Sequence, residues 1–361
     1  MYEGKDPLLQ DEPSCYHCSV KPTTKLLRCS RCHVAWYCTP TCQKAHHKKH
    51  RFLCMEIDKY TKLVDDEGNR LCAALGANIF ETEIGNFWGL LPATATYMDL
   101  TNALANWYSS LALECNVKEV WEKALYHQLE HLQLGVLDRM DARLRVPFFL
   151  LYMNRDDDAF TFIRYWVETK EVLETNPDAV FERHRNSKSG DWLYPRETDA
   201  RYLDIFDQVP GDLIQEMELP FLVALFLIKL RIVASHDDAT ESMDIAFKTT
   251  GGQRIQEVQS AIAEMLVRQD VDAENQRRQI YWLLFLIHRR NPHMLPGLTN
   301  PAPYFNRPPP TDRIAGEPSE VSMCLLDCKV AFYRVPAAPE ILKNILAAIE
   351  SSAPTRPRIG C

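Results

Sequence analysis

The chain has 361 residues, 46% of them hydrophobic and 25% charged, with 41 Lys or Arg against 49 Asp or Glu and a net charge of −8. That composition is ordinary for a globular protein and is enough for about two domains. Seven of the 12 cysteines fall between Cys15 and Cys54, a distribution that argues against a secreted disulfide scaffold and for metal binding in a reducing compartment.

The opening stretch "MYEGKDPLLQDEPSC" has no apolar core followed by small residues, so it does not read as a secretory signal. The ligand-rich segment follows at once: Cys15-x2-Cys18-x10-Cys29-x2-Cys32-x5-Cys38-x3-Cys42-x7-His50-x3-Cys54. This is eight soft donors in four pairs, and zinc in a structural site takes four donors in a tetrahedron, so the spacing predicts two ions. A two-residue spacer lets a tight turn aim both sulfurs at one ion. The three-residue spacers put Cys38 with Cys42, and His50 with Cys54, one above the other on a helical face. Spacing alone leaves the pairing of pairs open. His46 lies four residues from both Cys42 and His50 and is a competing candidate, but His50 keeps the helical relation to Cys54. His17 and His33, inside and beside the two knuckles, read as solvent-facing spacers.

Charge is divided in the same way. Residues 1–54 carry nine basic and four acidic residues, net +5, and Cys15 to Cys54 contains no acid at all. The remainder carries 32 basic and 45 acidic residues, net −13. A basic knob on an acidic body can attract anionic partners, but cations near a thiolate cluster also offset the charge of the thiolates themselves.

With "WYC" before the fifth donor and "CQKAHHKKHRFLC" at the end, Cys15 to Cys54 resembles the MYND finger. The resemblance implies interleaved pairs: Cys15, Cys18, Cys38 and Cys42 on one zinc, Cys29, Cys32, His50 and Cys54 on the other. His46 and His47 depart from the acidic residue and Trp usual in the family between the sixth and seventh ligands. The resemblance also implies a protein-interaction module for short proline-containing peptides, often of transcriptional regulators. The expected contact surface is Trp36 and Tyr37, an aromatic pair for proline rings, with Gln43 and Lys44 free beside them on the ligand helix. Forty residues bury too small a core to fold unaided, so zinc is expected to supply on the order of 10 kcal/mol.

Beyond the finger the chain reads as mainly α, with an all-helical domain over 60–290. Thr94–Cys115 carries the stripe Leu100, Leu104, Trp107 and Leu111, and Val117–Leu137 carries Trp121, Leu125, Leu129 and Leu132. The break at Asn116 makes the two a helical hairpin. In Arg145–Thr169 the run "NRDDD" turns one helix into another, whose stripe is Phe160, Ile163 and Val167. Further helices are expected over Gly211–Ala234, Gln253–Arg268 and Gln276–Arg290. The run "VPFFLLYMNRDDDAFTFIRYW", with "FLIKLRI" later, resembles the helical part of many fungal MYND proteins, which implies a helical body and no assigned activity. Such helix pairs suggest a tetratricopeptide-like stack, although no clean repeat of about 34 residues is present.

The longest uncharged apolar run, Leu219–Ile228, has ten residues and ends at Lys229, whereas crossing a bilayer takes about twenty; a soluble intracellular protein, nuclear or cytoplasmic, is expected. Residues 291–318 contain eight prolines and read as an extended connector. Residues 319–352 read as two amphipathic helices, with Cys324 and Cys328 as buried small residues rather than ligands.

Two enzyme readings are weighed and set aside. A lysine methyltransferase with an inserted finger needs an Asn-His-Cys/Ser-x-Pro-Asn run and a Gly-Glu-Glu-rich run, and neither is present. "HQLEH", His127 to His131, matches an inverted zinc-protease signature with Glu130 as base. A five-letter match is cheap, the apolar stripe of that helix uses other positions, and no third ligand is apparent; the His–Glu face is expected to be polar. A dedicated DNA-binding factor would instead show a strongly basic domain, and salt-dependent DNA retention would separate it from a peptide binder. The expectation is a non-enzymatic two-zinc adaptor on a helical scaffold, as a transcriptional co-regulator, with a purely structural finger as the alternative.

Overall fold

The computed structural model describes residues 12–21, 25–88, 91–187, 196–250, 272–306, 310 and 312–352, with backbone alone for 238–250 and 348–352. The chain divides into two compact units that meet in sequence at Glu197/Thr198, inside the stretch 60–290 expected to be one all-helical domain.

The first unit begins with the finger: two turns, a two-residue antiparallel pair β1 (Leu27–Arg28) and β2 (Trp36–Tyr37), and then α1 (Pro40–Leu75). "TPTC" starts this helix. Thr39 is extended and its hydroxyl accepts from the Cys42 N–H, while Pro40 fills a first-turn position where no donor is needed. Gly76 ends it in the left-handed region at φ 69°, donating to Cys72 O. With 36 residues, α1 runs unbroken from the finger into the helical body, so the finger shares its last helix with that body.

The expected hairpin follows as α2 (Ala95–Cys115) and α3 (Lys118–Leu134). Asn116 turns the chain at φ 53°, a conformation an Asn side chain tolerates better than most. The two helices pack on each other, and α2 also packs on α1. Next come α4 (Ala142–Tyr152) and α5 (Asp156–Thr175), separated by Asn154 at φ 55°, as "NRDDD" predicts. The three aspartates of that run, Asp156, Asp157 and Asp158, lie in the first turn of α5, where the helix dipole favours them. Phe148, Phe160, Phe162 and Trp121 are among the largest fully buried side chains.

In the second unit the expected helix over Gly211–Ala234 is broken in two. A six-residue turn, Gly211–Glu216, stops at Met217, and α6 (Leu219–Thr250) restarts with Pro220 in its first turn. Pro220 has no N–H to donate back, so a continuous helix across this point would lose a bond. The window Leu219–Asp237 is long and apolar enough to cross a membrane, a wider reading than the ten-residue run, yet 83% of it is buried within the protein. Lys229 in its middle is fully buried and donates from Nζ to Arg201 O at 2.7 Å and Leu203 O at 2.6 Å. Burial pushes its pKa down to about 7. α7 (Ala273–Arg290) packs along α6. The helix expected over Gln253–Arg268 lies outside the described residues.

The proline-rich stretch is not an extended connector over its first half. Met294–Thr299 and Ala302–Phe305 are short helices, with Met294, Leu295 and Leu298 buried against α8 (Pro318–Tyr333). Asn291, fully buried, donates to Glu317 O and to Glu320 Oε2, and Tyr333 donates to Leu298 O. Apolar residues one helical turn apart outweigh the extended preference of the prolines around them. Pro296 falls in the first turn of its helix, where its missing N–H costs nothing. Residues 307–309 and 311 lie outside the described residues. Two helices do follow, α8 and α9 (Ala338–Ser352). Cys324 and Cys328 are fully buried in α8, and burial pushes the Cys328 thiol well up.

Candidate metal centre

Two knuckles and one helix bring the eight donors together. In the first knuckle Ser19 N–H donates to Cys15 O at 2.8 Å; in the second His33 N–H donates to Cys29 O at 3.1 Å. Ser19 and His33 sit at φ 59° and 56°, so each turn closes through the left-handed region just after its second cysteine. His17 and His33 are both exposed, and neither belongs to a donor cluster.

Cys15, Cys18, Cys38 and Cys42 form one cluster and Cys29, Cys32, His50 and Cys54 the other, the donor atoms of each lying within 4.8 Å of one another. Within the first, the sulfur separations are 3.6 Å for Cys18–Cys38, 3.4 Å for Cys38–Cys42 and 4.0 Å for Cys42–Cys18. Within the second, Cys29 and Cys54 sulfurs are 3.8 Å apart and Cys32 Sγ is 3.3 Å from His50 Nε2. Four sulfurs about 2.3 Å from a tetrahedral zinc would be about 3.8 Å apart. Both sets therefore fit zinc in donor type, number and spacing. The second set is wholly buried, and the first is partly exposed at Cys18.

The buried donors compete for protons. Hydrogen bonds from Cys32, Cys54 and His50 hold the Cys29 thiol far below the usual range, while Cys29 and Cys54 push Cys32 far up. His50, disfavoured as a cation by burial, is nonetheless raised to about 9 by its bonds with Cys29 and Cys54. A zinc ion taken up by such a set displaces these protons, which couples its affinity to pH.

The segment 15–54 matches the family model of the MYND finger. Residues 15–54 form a MYND finger. The interleaved pairing implied by the resemblance is the pairing that the donor atoms adopt. No curated protein and no solved structure matches the chain.

His46 stays outside the second cluster of the MYND finger. Its ring stacks on His50 at 6.1 Å, and its Nδ1 lies 3.3 Å from the Tyr37 hydroxyl. His47 is exposed.

The expected peptide surface needs correction at its aromatic pair. Trp36 is only 4% exposed and Tyr37 is fully buried. Tyr16 packs against both rings, and the Arg28 guanidinium lies 5.3 Å from the Trp36 ring centroid. With Val34, Ala35 and Leu53, these buried rings are the small core of the MYND finger, whereas Phe52 is 62% exposed. Gln43 is half-buried and Lys44 exposed, both in the first turns of α1.

Sequence reasoning missed how the finger is fixed to the body. Arg28 also donates to Glu119 Oε1 at 2.6 Å, reaching the first turn of α3. The Tyr16 ring, whose hydroxyl donates to Val34 O, faces Cys115 at the end of α2. Both contacts join residues about a hundred positions apart, and no local pattern announces them.

The "HQLEH" segment lies on α3 but not on a polar face. His131 is buried, with Nδ1 3.4 Å from Thr101 Oγ1, whereas His127 stacks on Tyr108 at 5.3 Å and approaches Glu130 at 3.7 Å. α3 is covered on one side by α2 and on another by α4, which buries the His131 position. The two imidazoles turn to different neighbours, and the segment forms no donor cluster.

Proposed function

We propose that the protein is a non-enzymatic, zinc-dependent adaptor whose MYND finger captures a short proline-containing peptide of a partner protein. MYND fingers are generally protein-interaction modules. The observation that carries this reading is that the eight donors are used up in two four-donor sets, so neither ion would keep an open position for water or substrate. What remains for recognition is surface. The outer face of the ligand helix offers Gln43, Lys44, Lys48 and Arg51, with no acidic residue in the segment. Gln43 can hydrogen-bond a peptide backbone, and a proline-rich ligand lies close to its extended form and loses less entropy on binding. A role as a transcriptional co-regulator, in nucleus or cytoplasm and without sequence-specific DNA contact or membrane attachment, is part of the same proposal.

A second reading, a helical scaffold with a purely structural finger, draws support from the buried Trp36 and Tyr37 and from the Arg28–Glu119 ion pair. Partner recovery with two variants separates the two readings. Gln43→Glu keeps both zinc equivalents, and in the adaptor reading it loses partners that wild type retains; Cys38→Ser loses zinc and partners together. If Gln43→Glu recovers every wild-type partner, the surface beside Gln43 is not the contact and the structural reading stands.

A further inference from the structure

The second unit contains a cleft of about 480 Å³ that the finger does not explain, lined among others by Phe206, Ile214, Gln279, Trp282, Phe285 and Arg289. All six belong to that unit. Two features set it apart from an ordinary dent. Trp282 and Phe285 are each 56% exposed, far more than an aromatic ring usually is, and they stand edge to face at 6.2 Å on α7. Gln279, which also lines the cleft, is only 1% exposed, yet neither its Nε2 nor its Oε1 has a hydrogen-bond partner among the described residues. A buried carboxamide with both ends unmet is costly to the fold, and such groups in native structures call for an explanation.

A ligand that offers one acceptor and one donor side by side would meet both ends of Gln279. One residue in extended conformation offers this, because its own N–H and C=O point to the same side: the C=O takes the Nε2 hydrogen and the N–H gives to Oε1. The rim carries Arg278 and Arg289 against Asp204 and Asp207, with Arg278 and Asp204 already 4.0 Å apart. Equal numbers of each sign give no field for a phosphate, which favours a neutral backbone over a nucleotide. The exposed rings add an apolar slot for a side chain. We propose that this cleft is a second peptide-binding site, taking an extended partner segment with an aromatic residue whose side chain lies against Trp282 and Phe285 and whose own N–H and C=O pair with Gln279. Proline is excluded at that register, because it has no N–H to give Oε1. This site therefore selects against the residue proposed for the finger, and it stands or falls independently of the finger.

The test uses the zinc-loaded full-length protein labelled with 5-fluorotryptophan, the Trp282 resonance being assigned by its loss in Trp282→Phe. The probe is N-acetyl-Ala-Phe-Ala-amide. The Trp282 resonance is expected to move with an affinity on the order of millimolar, as befits so small a ligand. Gln279→Leu should weaken binding at least tenfold while raising the melting temperature, since it removes an unmet buried amide without opening a cavity. The same peptide N-methylated at Phe should bind at least tenfold more weakly to wild type. Three outcomes overturn the proposal. One is no movement of Trp282 at the solubility limit of the probe. Another is binding that survives both Gln279→Leu and N-methylation. The third is a resonance that moves with protein concentration alone, which would assign the face to a second copy of the chain.

Discussion

His46 and His50 sit one turn apart on α1 with stacked rings, yet only the Nε2 of His50 reaches a sulfur, 3.3 Å away at Cys32. The difference is position along the helix: His50 shares its face with Cys54, while His46 is a turn closer to the Tyr37 hydroxyl. His50→Ala should therefore reduce the zinc content from two equivalents to one, and His46→Ala should leave both. Elemental analysis of the purified variants decides it; an equivalent lost from His46→Ala would show that His46 is a ligand. At this scale the sequence was nearly sufficient. Donor type and spacing named all eight ligands. What it could not read was Trp36 and Tyr37, because an aromatic residue in a small module can be its core or its surface, and only the neighbours Tyr16 and Arg28 decide.

The helix α1 belongs to two structures. Its first half presents Cys42, His50 and Cys54 to the ions, and its second half buries Ile57 and Leu71 against the body. The halves have different sources of stability, the first metal ligation and the second apolar burial at about 25 cal/mol per Å². Chelating zinc should thus abolish amide protection from Cys15 to about Cys54 and leave protection after Ile57, as read by hydrogen exchange with and without a chelator. Loss of protection along the whole of α1 would show that the body depends on the metal as well. The continuity of this helix is invisible in the motif, which ends at Cys54. The residues after it, "MEIDKYTKLVDDEGNRLCAAL", contain no proline and only one glycine before Gly76, and that absence of breakers was the available signal.

Across the whole molecule, buried titratable groups link stability to pH. His131 is 1% exposed, and burial, with the Arg145 charge adding to it, pushes its pKa down to about 4 from 6.5. The unfolded chain takes up a proton at this histidine below about pH 6.5, whereas the folded chain resists it until about pH 4. Folded stability from this site is complete above pH 6.5 and falls as pH drops through that window, by up to about 3 kcal/mol. Denaturant unfolding between pH 7 and pH 4.5 should therefore show a shallower decline for His131→Gln than for wild type. Zinc release at acid pH affects both proteins alike and cancels in the comparison. Parallel curves would mean that His131 titrates normally in the fold.

By itself the sequence determined the two-zinc finger, its eight ligands and a body built of helices. Metal coordination and helix formation are local: the donors lie within forty residues, and apolar stripes recur every three or four positions. It also located the turns at Asn116 and Asn154, where polar breaks interrupt those stripes. Only the tertiary structure decided which face of each element is inside. It buried His131 beneath α2, hid Trp36 and Tyr37 under Tyr16 and Arg28, and seated Met294, Leu295 and Leu298 against α8 where prolines had argued for an extended chain. It also divided the helical region at Glu197/Thr198 and set Gln279, its amide without a partner among the described residues, in one cleft with two exposed rings. The physical reason is common to these cases. Burial is fixed by contacts between residues far apart in the chain, and a one-dimensional pattern records which residues are apolar but not which neighbours will cover them.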